Sequence, residues 1–136
     1  MYLLDTNIVS ELRKAKPHGA VLAWLNSVPE SALFLSAVTL AEIQAGIEIT
    51  RTQDAEKAKS IEVWLDQLSS AFNILPMDGS IFREWARLMH NQSDTLYEDA
   101  MIAASARVHQ LTVVTRNVRD FKSFKVNLFN PFGYSG

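Results

Sequence analysis

The chain has 136 residues, 48% of them hydrophobic and 21% charged, and 13 basic against 15 acidic side chains leave a formal net charge of −2. That composition supports a real core and excludes a disordered tail, a collagenous repeat and a coiled-coil rod. The absence of cysteine excludes a disulfide scaffold, a cysteine-ligated zinc site and a thiol nucleophile, and the charge balance leaves any nucleic-acid role to a local patch.

In chain order, Tyr2-Leu3-Leu4 is a short apolar run closed by Asp5-Thr6-Asn7. It predicts a buried strand handing over to a helix, with three residues suited to the cap. The helix Ile8 to Leu12 ends in Arg13-Lys14-Ala15-Lys16-Pro17. A second helix carries Val21, Leu22, Trp24, Leu25 and Val28, and Pro29 stops it. Leu33 to Ser36 is the next strand, leading directly into a helix from Val38 to about Thr50 with Leu40, Ile43 and Ile47 on one face. Asp54 to Phe72 is the clearest amphipathic helix, with Ala58, Ile61, Leu65, Leu68 and Phe72 recurring at helical spacing.

Ile74-Leu75 is a short strand closed by Pro76, and Asp78-Gly79-Ser80 opens a helix containing Ile81, Trp85 and Leu88. An alanine-rich helix follows from Tyr97 to His109, then a β-branched strand from Leu111 to Thr115, with Val126 to Leu128 as an edge strand. Short apolar strands alternating with helices predict one α/β domain over residues 1–136, its parallel sheet covered on both faces. The longest apolar stretch, Leu33 to Ala41, is interrupted by Ser36 and Thr39 and halted by Glu42, far short of the 18–20 residues or so of a membrane span. No basic segment precedes an apolar block at the N-terminus. A soluble, cytoplasmic protein is expected.

Open parallel sheets bind ligands outside the carboxyl ends of their strands, which singles out a few polar residues. Asp5 follows the first strand, Glu42 lies in the second turn after the second, Asp99 opens the alanine-rich helix, and Asn117 and Asp120 follow Thr115. Each alone has a plain explanation: a helix cap, a solvated face, a dipole-favoured first turn, an ordinary turn. Together they place all four acids on the ligand-binding edge. Carboxylates sharing one pocket repel unless a cation compensates, and hard oxygen ligands without cysteine or clustered histidine select Mg²⁺ or Mn²⁺. Such ions clamp a phosphodiester and activate water, which is nuclease chemistry and needs no protein nucleophile.

These residues carry a resemblance. Asp5-Thr6-Asn7, the run Ser36 to Glu42, the run Asp99 to Ala104 and the run Thr115 to Phe121 resemble, in order and spacing, the motifs of PIN-domain ribonucleases. The opening M-Y-L-L-D-T-N-I-V-S-E-L is especially similar to the VapC toxins of bacterial toxin–antitoxin pairs and their FitB-like branch. The resemblance implies a Mg²⁺- or Mn²⁺-dependent endoribonuclease, held inactive by a cognate antitoxin that alone would contact DNA. It also implies homodimers, with the antitoxin in a groove between helices. By position it makes Asp5, Glu42 and Asp99 the core acidic ligands. Many relatives carry Asp where this chain has Asn117, so Asp120 is the remaining carboxylate at the fourth position. Relatives often have a glycine before the third motif, where Arg87 to Leu96 has none.

Arg13, Lys14 and Lys16 on one side, and Arg116 and Arg119 on the other, bracket this acidic site and are candidates to position RNA through its phosphates. His18, His90 and His109 have no metal-ligand spacing, the five glycines form no phosphate-binding loop, and Ser10, Ser36 and Ser105 lack a paired histidine. Trp64, beside the Ile61/Leu65/Leu68 stripe, points to that helix as a subunit or antitoxin face. Two other readings stay open at this point. One is a catalytically impaired PIN-like binding module, kept alive by Asn117; the other is a metal-dependent DNA nuclease.

Overall fold

Side-chain alternation along the strands decides how the two cores form. In the computed structural model, which describes residues 1–136, Leu3 and Leu4 of β1 (Tyr2–Leu4) are both fully buried. Leu3 enters one core and Leu4 the other, as the two-residue period of a strand requires. Val113 and Val114 of β4 (Thr112–Val114) divide in the same way. A strand buried on both faces reads as an unbroken apolar run, which is why such short runs suffice here.

With β2 (Leu33–Ser36), β3 (Asn73–Leu75) and β5 (Leu128–Phe129), these form a five-stranded parallel sheet in the order β3-β2-β1-β4-β5. The chain builds outward from β1 to β3, then returns to the other side of β1 for β4 and β5. The order therefore reverses between β1 and β4, and the crevice of a doubly wound sheet lies at the carboxyl ends of that pair. Leu3 sits opposite Phe34 on one side and Val113 on the other.

Helices α1 (Thr6–Glu11), α2 (Gly19–Ser27), α3 (Ala37–Arg51) and α4 (Ala55–Ala71) pack on the Leu4 face. Helices α5 (Gly79–Met89), α6 (Tyr97–His109) and α7 (Val118–Phe121) pack on the Leu3 face, as right-handed crossovers running in the two directions demand. In α6 the buried residues Ala100, Ala103, Ala104 and Ala106 are small enough to lay the helix close against the sheet. The α/β architecture read from the sequence is the one observed, with local differences. Helix α1 begins at Thr6, because Asp5 already caps it. The last strand falls at Leu128–Phe129 instead of Val126 to Leu128, because the chain first turns through Lys125 at φ 54°. Between α5 and α6, Asn91 at φ 65° supplies the left-handed residue, a conformation asparagine tolerates without glycine. Ser93 then caps the short turn that leads into α6.

The α4 stripe turns inward. Ala58, Leu65 and Leu68 are buried in the Leu4-side core, and Ile61, Trp64 and Phe72 pack half-buried against it. Ala58, Leu65 and Leu68 therefore serve the chain's own sheet, while Ile61 and Trp64 keep part of their surface along a cleft; the large apolar side chain that α4 exposes is Val63.

Candidate active site

Asp5 leaves the end of β1 at the entrance to α1 and is only 5% exposed. Its Oδ1 accepts from the Thr6 backbone N–H at 2.8 Å, and its Oδ2 from Asn7 Nδ2 at 3.1 Å and from the Thr115 hydroxyl at 2.8 Å. Thr115 closes β4 and is wholly buried, so its hydroxyl joins the two strands that flank the crevice. The Thr115 oxygen also accepts from the Asn117 backbone N–H at 3.0 Å, while Asn7 Oδ1 accepts from the Arg116 N–H at 3.2 Å. The three donors favour the Asp5 carboxylate, yet burial outweighs them and raises its pKa.

Glu42 reaches the same crevice from the second turn of α3, with Oε1 3.1 Å from Thr6 Oγ1, which is itself 3.1 Å from Thr39 Oγ1. Burial, and then the nearby Glu98 carboxyl, push Glu42 up to about 7. Asp99 lies in the first turn of α6. Burial, followed by the charges of Asp5, Asp120 and Glu98, raises it to about 6. Asp120, exposed in the first turn of α7, bears electrostatically on both Asp5 and Asp99. Asn117 is exposed and contributes its backbone to the turn, so the charge after β4 comes from Asp120.

None of the five salt bridges in the molecule involves Asp5, Glu42, Glu98, Asp99 or Asp120. The acids lie near enough to raise one another's pKa, but no three of them come together in a group that could hold a metal ion. The donor set fits a hard divalent cation: it is all oxygen, it carries excess negative charge, and it has no protein cation in contact. Sequence reasoning missed Glu98 and the roles of Thr115 and Asn7. The adjacent acids Glu98-Asp99 were a visible signal; the hydrogen bonds to Asp5 were not, because Thr115 lies 110 residues away in the chain.

The bracketing cations do not act as one set. Arg13 lines a cleft of about 290 Å³ together with Thr6, Ser10, Glu42, Ile61 and Trp64. Lys14 instead pairs with the buried Glu11, which also accepts from the His18 N–H, so it pins the α1–α2 connection. Lys16 is exposed. Arg116 lies 4.7 Å over the Phe132 ring, and Arg119 is exposed on α7. A larger cavity of about 460 Å³ opens beside Glu84, Arg107, Gln110 and Lys125. It sits at the amino edge of β4, away from the acids, and its Arg107 is committed to Glu84 and to the Phe124 and Lys125 carbonyls.

The family model described as PIN domain matches residues 2–127. The chain belongs to the PIN-domain family. This PIN domain is 33% identical to the toxin FitB of Neisseria gonorrhoeae, over 97% of its own length and 99% of that protein. It is 35% identical to the VapC ribonuclease Y4jK of Sinorhizobium fredii, over 97% and 98% of the two chains. The structure of FitAB bound to a DNA fragment superimposes with a TM-score of 0.85 at 31% identity, covering 100% of this chain and 99% of that one. No helix of the PIN domain is long and apolar enough to cross a membrane.

Proposed function

We propose that this PIN domain, a single unit over residues 1–136, is the endoribonuclease toxin of a toxin–antitoxin pair and hydrolyses RNA phosphodiester bonds. The observation that carries the reading is the gathering of Asp5, Glu42, Asp99 and Asp120 at the topological switch point with no protein cation among them. Their oxygen chemistry selects Mg²⁺ or Mn²⁺, and a divalent cation bound there supplies phosphoryl polarisation and a more acidic water. The chain's own residues set the geometry. Thr115, Asn7 and the Thr6 N–H fix Asp5, and the Thr6 hydroxyl steadies Glu42. Asp99 makes no hydrogen bond to the protein and keeps both oxygens available. Ser36 and Ser105 are committed elsewhere: Ser36 caps α3 and Ser105 bonds to the Met101 carbonyl. With Asp120 supplying the charge that Asn117 lacks, the catalytic reading is favoured over an impaired binding module.

The Arg13 cleft runs from Glu42 past Gly46 and Ile47 to Ile61 and Trp64. An acidic end and an apolar end suit an antitoxin segment that places a basic side chain among the acids and apolar ones along α3 and α4. The toxin acts in the cytoplasm as a homodimer and reaches DNA through the antitoxin alone. The purified protein should cleave RNA with Mg²⁺ or Mn²⁺ and stop in EDTA, and its mass by light scattering at micromolar concentration should be that of a dimer. Cleavage that persists in EDTA removes the metal reading, and a monomeric mass removes the dimer.

RNA affinity separates the basic residues. Arg13→Ala is expected to weaken binding about tenfold, the worth of one charge-assisted phosphate contact, whereas Lys14→Ala should act on the stability of the α1–α2 connection. Fluorescence anisotropy with labelled RNA and Ca²⁺ in place of Mg²⁺ reads the difference. Equal affinities for wild type and Arg13→Ala would remove Arg13 from the RNA path.

A further inference from the structure

Beyond the last strand, the turn Pro131–Gly133 packs on α2. Asn130 fixes its start, with Oδ1 accepting from the Phe132 N–H at 3.0 Å. Phe132 is half-buried against the Leu4-side core, and its ring meets two side chains from remote parts of the chain. The His18 ring lies 4.8 Å away, tilted by 55°, and the His18 N–H is itself held by Glu11 at 3.0 Å. The Arg116 guanidinium carbon stands 4.7 Å from the ring centroid, inside the range of a cation–π contact.

This stack sets Arg116 apart from the other arginines. Arg51, Arg87 and Arg107 pair with carboxylates. Arg116 forms no salt bridge, and its hydrogen bond to Asn7 Oδ1 comes from the backbone N–H. Yet it follows Thr115, which donates to Asp5, so an unrestrained guanidinium there has uncompensated carboxylates to fall onto. A stacked guanidinium is ordered through its face and keeps its N–H edge free. An arginine already ordered in this way loses less rotamer freedom when it takes up a phosphate.

We propose that Phe132 is a positioning residue: stacked under Arg116, it holds the guanidinium off the acids and presents its N–H edge to a phosphate of the RNA. The inference rests on the reading of the crevice as an RNA-cleaving site. It gives the Pro131–Gly133 turn a share in substrate binding and separates Arg116 from Arg119, which is exposed on α7 without such support.

Fluorescence anisotropy with a labelled single-stranded RNA, Ca²⁺ replacing Mg²⁺, tests this on the full chain. Arg116→Ala is expected to weaken binding about tenfold. It should also lower the slope of log affinity against log salt by about 0.7, the share of one phosphate contact to a single strand. Phe132→Leu keeps the apolar bulk and removes the ring, and should weaken binding about threefold to fivefold, the worth of one exposed cation–π contact. Phe132→Tyr, which keeps the ring, should recover most of that loss. The double variant Arg116→Ala/Phe132→Leu should bind no more weakly than Arg116→Ala alone, whereas a merely structural loss lowers affinity by the same factor in both backgrounds. If Phe132→Leu binds as wild type does, or weakens binding equally with and without Arg116, Phe132 does not act through Arg116 and the inference falls. If Phe132→Leu melts below the assay temperature, trifluorophenylalanine at Phe132 keeps the ring's shape and depletes its π face. A loss of about threefold is then expected, and unchanged affinity overturns the stack. Wild type that binds RNA no better than Arg116→Ala overturns the inference alone. Wild type that neither binds nor cleaves RNA removes the RNA reading of the crevice and the inference with it.

Discussion

Asp99→Asn is expected to reduce RNA cleavage by about a thousandfold or more, which is about 4 kcal/mol of transition-state stabilisation, while the protein stays folded. Single-turnover cleavage of a labelled RNA measures the first part and circular dichroism the second. Expression without antitoxin should arrest bacterial growth for wild type and not for Asp99→Asn. The variant is clean because the Asp99 side chain has no hydrogen-bond partner to lose and is destabilised where it stands by burial and by Asp5, Asp120 and Glu98. Cleavage within tenfold of wild type would remove Asp99 from the catalytic set. From the sequence, Asp5→Asn looks equally harmless to folding. The structure corrects that expectation. An amide at Asp5 would turn its Nδ2 toward Asn7 Nδ2 and the Thr115 hydroxyl in a site only 5% exposed, and an unmatched buried donor costs about 1–3 kcal/mol. Loss of activity in Asp5→Asn therefore mixes a lost ligand with a weakened fold.

Without a divalent cation, stability should fall as pH rises from about 4 to about 7. Glu42 moves from an ordinary 4.5 to about 7 and Asp99 from 3.8 to about 6. Between the ordinary and raised values the native state holds more protons than the unfolded chain, so each step up in pH favours unfolding. Above the raised values both states are ionised and the loss is complete. Both groups are half-buried, and solvent screening reduces their joint effect to roughly 2 kcal/mol. Asp99→Asn should flatten the lower part of that decline and raise the melting temperature in EDTA at pH 7.5. Mg²⁺ should do the same for wild type: at a hundred times its Kd a bound ion adds about 2.7 kcal/mol, or roughly 5–10 °C for a chain of this size. Calorimetry across pH with EDTA or Mg²⁺ checks both. Apo stability that rises with pH, or a melting temperature blind to Mg²⁺, would show that the acids do not repel one another and are not cation ligands.

Much of this molecule is legible locally. The amphipathic run from Asp54 to Phe72 marks α4 to the residue, since the structure makes those two its caps. The apolar runs before Asp5, Ala37 and Arg116 mark the strands that carry the site, because a strand buried on both faces needs nothing more than consecutive apolar side chains. The order of Asp5, Glu42, Asp99 and Asp120 along the chain, each placed after a strand or early in a helix, was enough to locate the acidic edge.

What the sequence could not decide are the encounters between residues remote in the chain. Parallel register places Thr115 beside Asp5, and the two directions of crossover bring α3 and α6 to the same crevice, so that the Glu98 charge bears on Glu42. The same geometry admits Arg13 to the cleft while Lys14 turns to Glu11, although the two are neighbours in sequence. It also turns the α4 stripe onto the sheet and leaves Val63 outside. Hydrophobic periodicity is set by each residue's near neighbours and survives in the one-dimensional record. The partner of a particular carboxylate depends on strand register, helix rotation and loop path together, and those exist only once the sheet has closed.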